Sequence, residues 1–414
     1  MWERYDYCIL GGGVAGGTAV EAIRARDPQS SIALLTLEPV RPYHRPPLSK
    51  EVLLGAMAAE QTFLRPPGYY EQERIVLRTS ARVTRLDATG QTLELADGAR
   101  IAFGRLLFAP GSRARRLDLP GADLDGVFTL RTMDDSLAIR EALSRAKAAV
   151  IIGGSFIGAE VASASAQQGV ETVLAFPEAH LFVRLFDEET CRALDALFAR
   201  EGVRVLPGRR PQRFVGERRV RGVVLDDGRE YPCDMAVMGV GVQPNVELAR
   251  DAGLEMSPDG GVLVDHTLRT SDPHIWAAGD VASYDDVVLG VGHLRVEHWD
   301  TALHHGLVAG ANMAGASQTY DHLPYFFSLL FGASPQVYGD LRGWEQVVGR
   351  GDLASGRYLR AYFRSGVFRA FLALRRTREE VEVAQRWLRE RRRHEEIAPL
   401  LADESVPLGQ AEMA

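Results

Sequence analysis

The sequence predicts an α/β chain, and three observations carry that reading. A short apolar strand runs into a glycine turn and then a helical apolar period at residues 7–26. The same strand–glycine–helix pattern restarts at residues 149–168. Alternating apolar and polar runs, broken by Asp-Gly turns, fill much of the remainder and mark antiparallel strands.

At 414 residues the chain has room for two or three domains, and an apolar fraction of 46% is enough to bury a large core. The formal charge of −7 argues against a general nucleic-acid binder, which would carry a basic excess. No window reaches the ~18 consecutive apolar residues of a membrane span. Residues 1–6 lead straight into a strand, so a cytoplasmic protein with no targeting segment is expected. The three cysteines, Cys8, Cys191 and Cys233, are far apart. Their spacing supports no disulfide framework, zinc knuckle or local dithiol pair, and no metal site is expected. Cys8 and Cys233 read as small buried hydrophobes.

In the first unit, Tyr7-Cys8-Ile9-Leu10 is the strand and Gly11-Gly12-Gly13-Val14-Ala15-Gly16 fits G-x-G-x-x-G. Ala19, Val20 and Ile23 follow at helical spacing, residues 32–35 form the next strand, and Glu38 comes about 20 residues after the glycines. The first glycine permits the tight turn, the second lets backbone approach a pyrophosphate, and the third lets helix pack on strand. Amides at the helix N-terminus then face the phosphates, and Glu38 accepts from a ribose hydroxyl.

Arg45-Pro46-Pro47-Leu48-Ser49-Lys50 follows. Two consecutive prolines are expected to hold the chain extended, with Ser49 capping a helix that Lys50 begins. Lys50 would then be presented at a defined place. Residues 75–108 read as a small antiparallel insert, and a domain boundary is expected near Arg116.

In the second unit, Ala149-Val150-Ile151-Ile152 is the strand and Gly153-Gly154-Ser155-Phe156-Ile157-Gly158 the turn, with Ser155 in the middle-glycine position. Two such turns in one chain imply a tightly held flavin and an exchangeable nicotinamide. After the next strand stands Glu178. A carboxylate there accepts from a 2′-hydroxyl and repels a 2′-phosphate, which favours NADH over NADPH. Phe176 occupies the commoner position for that acid, and Arg184 is a rival phosphate partner. The glycine-rich turn at residues 239–245, including Gly241, is expected to close over the second nucleotide.

Residues 251–282 return to the first domain and end in Ala278-Gly279-Asp280, an acid at a strand end suited to a ribityl hydroxyl. A helix follows Glu297-His298, and His304 and His305 on it are expected at the surface. From Leu323 the composition turns aromatic and predicts a small α+β domain. Its last helix opens on a Thr377-x-x-Glu380 capping box. The basic run at Arg389 and Arg391–Arg393 reads as a solvated helix end, and residues 400–414 as a loose tail. The expected domains are residues 1–115 with 247–321 for FAD, 116–246 for NAD, and 322–414 at the C-terminus.

The chain resembles the apoptosis-inducing-factor and oxygenase-coupled ferredoxin reductase branch of the two-dinucleotide-binding flavoproteins. The matching segments are residues 11–16, 45–50, 153–160, 239–245, 278–280 and 296–298. The resemblance implies a glutathione-reductase-like architecture of two Rossmann-like domains with a small third domain. It implies that Glu38, Arg45, Arg131, Asp280 and the backbone at Val83 hold FAD. It places Lys50 by the reactive edge of the flavin, paired with Glu160, and sets Glu297, His298 and Phe327 around flavin and nicotinamide. Phe327 and Leu329 stand where many relatives have a tryptophan and an acid. The implied activity is oxidation of NADH with electrons passed to a small ferredoxin or Rieske-type iron–sulfur protein. A redox-sensing flavoprotein with slow NADH oxidation, and a reductase of a quinone or oxygen, are the alternatives. The oligomeric state stays open, a homodimer included.

Overall fold

The computed structural model describes residues 2–411, and the chain folds as two compact units. The first gathers the chain up to His44, Glu60–Arg113 and Gln243–Pro324. The second gathers Arg45–Ala59, Ala114–Val242 and the chain from Tyr325 onward. Among the described residues no helix is long and apolar enough to cross a membrane.

In the first unit, Glu3–Leu10 is the central strand. It pairs in parallel with Ile32–Leu35 on one side and Arg100–Phe108 on the other. Ile75–Arg78 extends the sheet in parallel beyond Ile32–Leu35, and Ile275–Ala277 joins Arg100–Phe108 in parallel. Central strands buried on both faces read as continuous apolar runs, as Cys8-Ile9-Leu10 and residues 32–35 do. The antiparallel insert is therefore shorter than the sequence pattern predicts. It comprises Val83–Asp87 and Thr92–Leu95, while Ile75–Arg78 belongs to the parallel sheet.

Helices Val14–Arg26 and Trp299–Met313 lie against each other in this unit. Thr18 Oγ1 donates to the Leu303 carbonyl at 3.1 Å, and a Cβ at Gly306 would sit 2.2 Å from the Ala15 carbonyl oxygen. Only a residue without a side chain permits that approach. The helix period corrects the expectation for His305. It is fully buried on the face shared with Ala302 and Ala309, while His304 is half-buried.

In the second unit, the parallel strands run in the order Arg204–Pro207, Glu171–Phe176, Ala148–Ile152, Met235–Met238, Val127–Phe128. The chain from Tyr325 builds an antiparallel sheet ordered Tyr325–Phe327, Gln336–Gly339, Val367–Leu374, Arg357–Arg364, Gln346–Asp352. Helix Arg378–Arg389 opens on the expected capping box, with Thr377 and Glu380 each bonding the other's backbone N–H.

The expected loose tail is ordered as far as the structure describes it. His394–Ala402 and Leu408–Ala411 are helical, and Leu401 and Leu408 are fully buried. The cause is Arg350. Its buried guanidinium donates to the carbonyls of Leu400, Asp403 and Val406 and pairs with Glu380 at 3.2 Å. Residues 412–414 of the expected tail lie outside the described residues.

Candidate active site

Each unit carries one glycine turn, and the turns have the same backbone logic. Gly11 has φ +127°, and a Cβ there would lie 1.9 Å from the Ala109 carbonyl oxygen. A Cβ at Gly16 would lie 2.0 Å from the Gly11 carbonyl oxygen. The fold itself demands those two glycines. Gly13 differs: its backbone is extended and a Cβ would meet nothing within 4 Å. The chain leaves the room in front of it unused, and such room would suit the close approach of a pyrophosphate. Val14 and Ala15 then open the helix, so backbone N–H groups point at that room.

Five more expected residues lie in this unit. Glu38 is half-buried and accepts from Tyr43 Oη at 2.6 Å. The Gly279–Val281 turn brings Asp280 close to the glycine turn, since a Cβ at Gly279 would lie 3.5 Å from the Ala15 Cβ. Arg295 Nη1 donates to the Asp280 carbonyl at 3.1 Å and pairs with exposed Glu297 at 2.5 Å. His298 caps the helix Trp299–Met313. Loss of solvent around its imidazole lowers its pKa to about 4, outweighing the pull of Asp280 and Asp300. His298 is therefore neutral at pH 7. Val83 is half-buried at the start of its strand.

The second turn repeats the pattern. Gly153 has φ +123°, and its Cβ would lie 2.2 Å from the Gly239 carbonyl oxygen; a Cβ at Gly158 would lie 2.0 Å from the Gly153 carbonyl oxygen. Ser155 takes the extended N-cap position that Gly13 takes in the first turn, and its side chain makes no capping bond. Phe156 and Ile157 form the first helical turn, with Phe156 packed edge-on against Phe326 at 5.0 Å. Gly241 is exposed at φ +95°, and its carbonyl accepts from the Arg115 N–H. Glu178 pairs with Arg184 at 2.6 Å, so the rival cation and the expected acid engage each other.

Lys50 and Glu160 form a buried ion pair at 2.9 Å, with side-chain exposures of 6% and 4%. Burial this deep costs both charges their hydration, and it is tolerated only when the remaining lone pairs and protons are satisfied. They are satisfied here. Ser49 Oγ donates to Glu160 Oε2 at 2.5 Å and Ser328 Oγ to Oε1 at 2.7 Å. Lys50 Nζ also donates to the Pro46 carbonyl at 3.2 Å and lies 5.7 Å from the centre of the Phe327 ring. Arg45 Nη1 donates to the Arg131 carbonyl at 2.6 Å, and the Arg131 N–H donates to Asp135.

The local backbone differs from expectation. Pro46–Ser49 is a 3-10 turn with both prolines at its start, and Lys50 is its C-cap. Proline's fixed φ suits the first turn of a helix, and its missing N–H is unpaired there in any case. Ser49 is thus no N-cap, and its hydroxyl is spent on Glu160. No periodicity names the partners of Ser49, Ser328 or Tyr43: the serines act on Glu160, 111 and 168 positions away, and Tyr43 lies off any helical face. His305 was legible only as a helix position. Its Nδ1 accepts from the Gly279 N–H at 3.2 Å and so holds the turn that carries Asp280.

Comparison with known proteins matches residues 5–306 to the family described as pyridine nucleotide-disulphide oxidoreductase. The anthranilate 1,2-dioxygenase system ferredoxin–NAD(+) reductase component of Burkholderia cepacia is 35% identical over 85% of this chain and 86% of its own. The biphenyl dioxygenase system counterpart of Paraburkholderia xenovorans is 35% identical over 84% of each chain. Among solved structures, the ferredoxin reductase for the CYP199A2 system of Rhodopseudomonas palustris superposes with a TM-score of 0.91 at 33% identity, covering 98% of this chain and 99% of its own. The covalent putidaredoxin reductase–putidaredoxin complex gives 0.93 at 29% identity, covering 99% of this chain and 98% of the other.

Proposed function

Because the chain belongs to the pyridine nucleotide-disulphide oxidoreductase family, we propose that it is an FAD-dependent reductase that oxidises NADH and delivers electrons singly to a small ferredoxin-type iron–sulfur protein. One observation carries the choice of acceptor. All three cysteines are free and buried, and loss of solvent lifts each thiol to about 12. None is a thiolate at neutral pH, so no dithiol relays electrons to a disulfide substrate. Bound FAD takes a hydride as a pair of electrons and gives the electrons up one at a time.

The residues divide that work. The Gly11–Gly16 turn and its helix N-terminus hold the FAD pyrophosphate, and Glu38 and Asp280 take its hydroxyls. The second turn holds the nicotinamide nucleotide, and the turn at Gly241 closes over it. Lys50, held by Glu160, whose carboxylate Ser49 and Ser328 orient, favours negative charge on the reduced ring, the role that the family resemblance implies. Neutral His298 adds no second positive charge.

The division into an FAD-binding segment, an NAD-binding segment and a C-terminal domain belongs to the same proposal. So does the preference for NADH, which rests on Glu178: its carboxylate suits a 2′-hydroxyl, and it keeps Arg184 from a 2′-phosphate.

The test is stopped-flow reduction of the purified holoprotein followed by turnover with a purified [2Fe–2S] ferredoxin. NADH should reduce the flavin at least about tenfold faster than NADPH, a difference of about 1.4 kcal/mol. Steady-state reduction of the ferredoxin should far outpace reduction of oxygen or a quinone. Faster reduction by NADPH defeats the Glu178 argument. Negligible ferredoxin turnover beside a long-lived reduced complex in air favours the sensing alternative.

A further inference from the structure

On the helix that His298 caps and the segment after it, the first unit brings together Asp300, His304 and His322. Asp300 and His304 stand one helical turn apart in Trp299–Met313, so they share a face. His322 arrives from the segment that follows. Its Nε2 lies 2.6 Å from Asp300 Oδ2, and His304 Nδ1 lies 3.6 Å from Asp300 Oδ1. The two imidazole rings stack at 3.5 Å with 12° between their planes. One donor atom from each residue lies within 4.8 Å of the other two, and all three residues are half-buried.

We infer that Asp300, His304 and His322 form a binding site for a divalent transition-metal ion, zinc being the best match. The donor set is two imidazole nitrogens and one carboxylate oxygen, which suits borderline-soft ions over calcium or magnesium. Metal–ligand bonds of about 2.0–2.2 Å place ligand atoms about 3.3–3.5 Å apart in a tetrahedral site. The present spacings straddle that value, and one imidazole must turn out of the stack so that both ring planes meet at the ion. His304 Nδ1 would exchange its 2.9 Å contact with the Asp300 carbonyl for the metal. Three protein ligands leave a fourth position for water. Neighbouring His305 stays outside the set because its ring faces the core and accepts from Gly279. A bound ion would tie His322, which lies outside any helix or strand, to the helix carrying the other two ligands.

The test uses chelator-treated, tag-free holoprotein titrated with zinc chloride by calorimetry, and with cobalt chloride by absorption beyond the flavin bands. The expected result is one equivalent of zinc with a dissociation constant of about 1 μM or tighter. Cobalt should give the intense bands of a four-coordinate site, and the melting temperature should rise with zinc. His304→Ala and His322→Ala should each weaken binding at least tenfold while FAD content and NADH oxidation without zinc stay unchanged. Asp300→Asn, which retains an acceptor oxygen for His322, should weaken it as well. Equal binding by the His304→Ala/His322→Ala variant, or no stoichiometric binding by the native protein, overturns the inference.

Discussion

At the scale of single residues, Lys50 shows how a buried charge is kept. Its ammonium meets the Glu160 carboxylate, whose oxygens also accept from Ser49 and Ser328. Removing one partner of such a pair is worse than removing both, because the survivor is left charged and dry. Glu160→Gln should therefore destabilise the protein by about 3 kcal/mol. Adding Lys50→Met to it should restore most of the loss, as read by denaturant unfolding of the single and double variants. Lys50→Ala should slow flavin reduction by NADH about a hundredfold while most of the FAD is retained. If FAD is lost and the remaining holoenzyme reacts normally, Lys50 serves retention instead. The pairing of Lys50 with Glu160 was reachable from the family resemblance alone. The serine hydroxyls were not, since a serine in an apolar segment carries no pattern that names its partner.

At the scale of elements, the two glycine turns were the most legible part of the chain. Their conformation depends on contacts within one βαβ unit, and glycine is the residue that local sterics demand. The structure separates glycines whose Cβ would strike backbone from one whose Cβ would meet nothing. Gly11→Ala would drive a Cβ into the Ala109 carbonyl at a positive φ, and should abolish folding of the first unit. Gly13→Ala meets no protein atom, so the apoprotein should unfold within about 0.5 kcal/mol of the native one. Its affinity for FAD should nonetheless fall at least tenfold, measured by fluorescence titration of the apoprotein. Equal loss of stability in both variants would remove the reason for reading that room as a ligand's. The proline turn was misread at this scale, because two prolines fit the start of a helical turn as well as an extended run.

At the scale of the whole molecule, buried polar networks decide how distant segments join. Asp187 caps the helix Glu188–Arg200 and receives Arg360 at 2.7 Å and Tyr362 at 2.9 Å from the sheet built after Tyr325. Burial pushes the Asp187 carboxyl up, but bonds from Thr190 and the Arg360 guanidinium outweigh it and hold the acid below its usual range. A depressed folded-state pKa stabilises the protein above about pH 4, and that contribution fades as pH falls through the folded value. Asp187→Asn should cost about 2–3 kcal/mol at pH 7 and flatten the loss of stability below pH 4. Urea unfolding at pH 7, 5 and 3 checks both. An unchanged acid limb would assign the depression to some other group.

The sequence by itself determined two dinucleotide turns, their helices and the capping box at Thr377, because each is decided within about thirty residues by sterics and local hydrogen bonds. Only the tertiary structure decided the surroundings of Lys50, the burial of His305 and the order of the C-terminal segment. Ser328 and Glu160 are 168 residues apart, and Arg350 reaches carbonyls 50 to 56 residues away. Contacts of that range exist only once the sheets have formed and excluded water, so no local pattern encodes them.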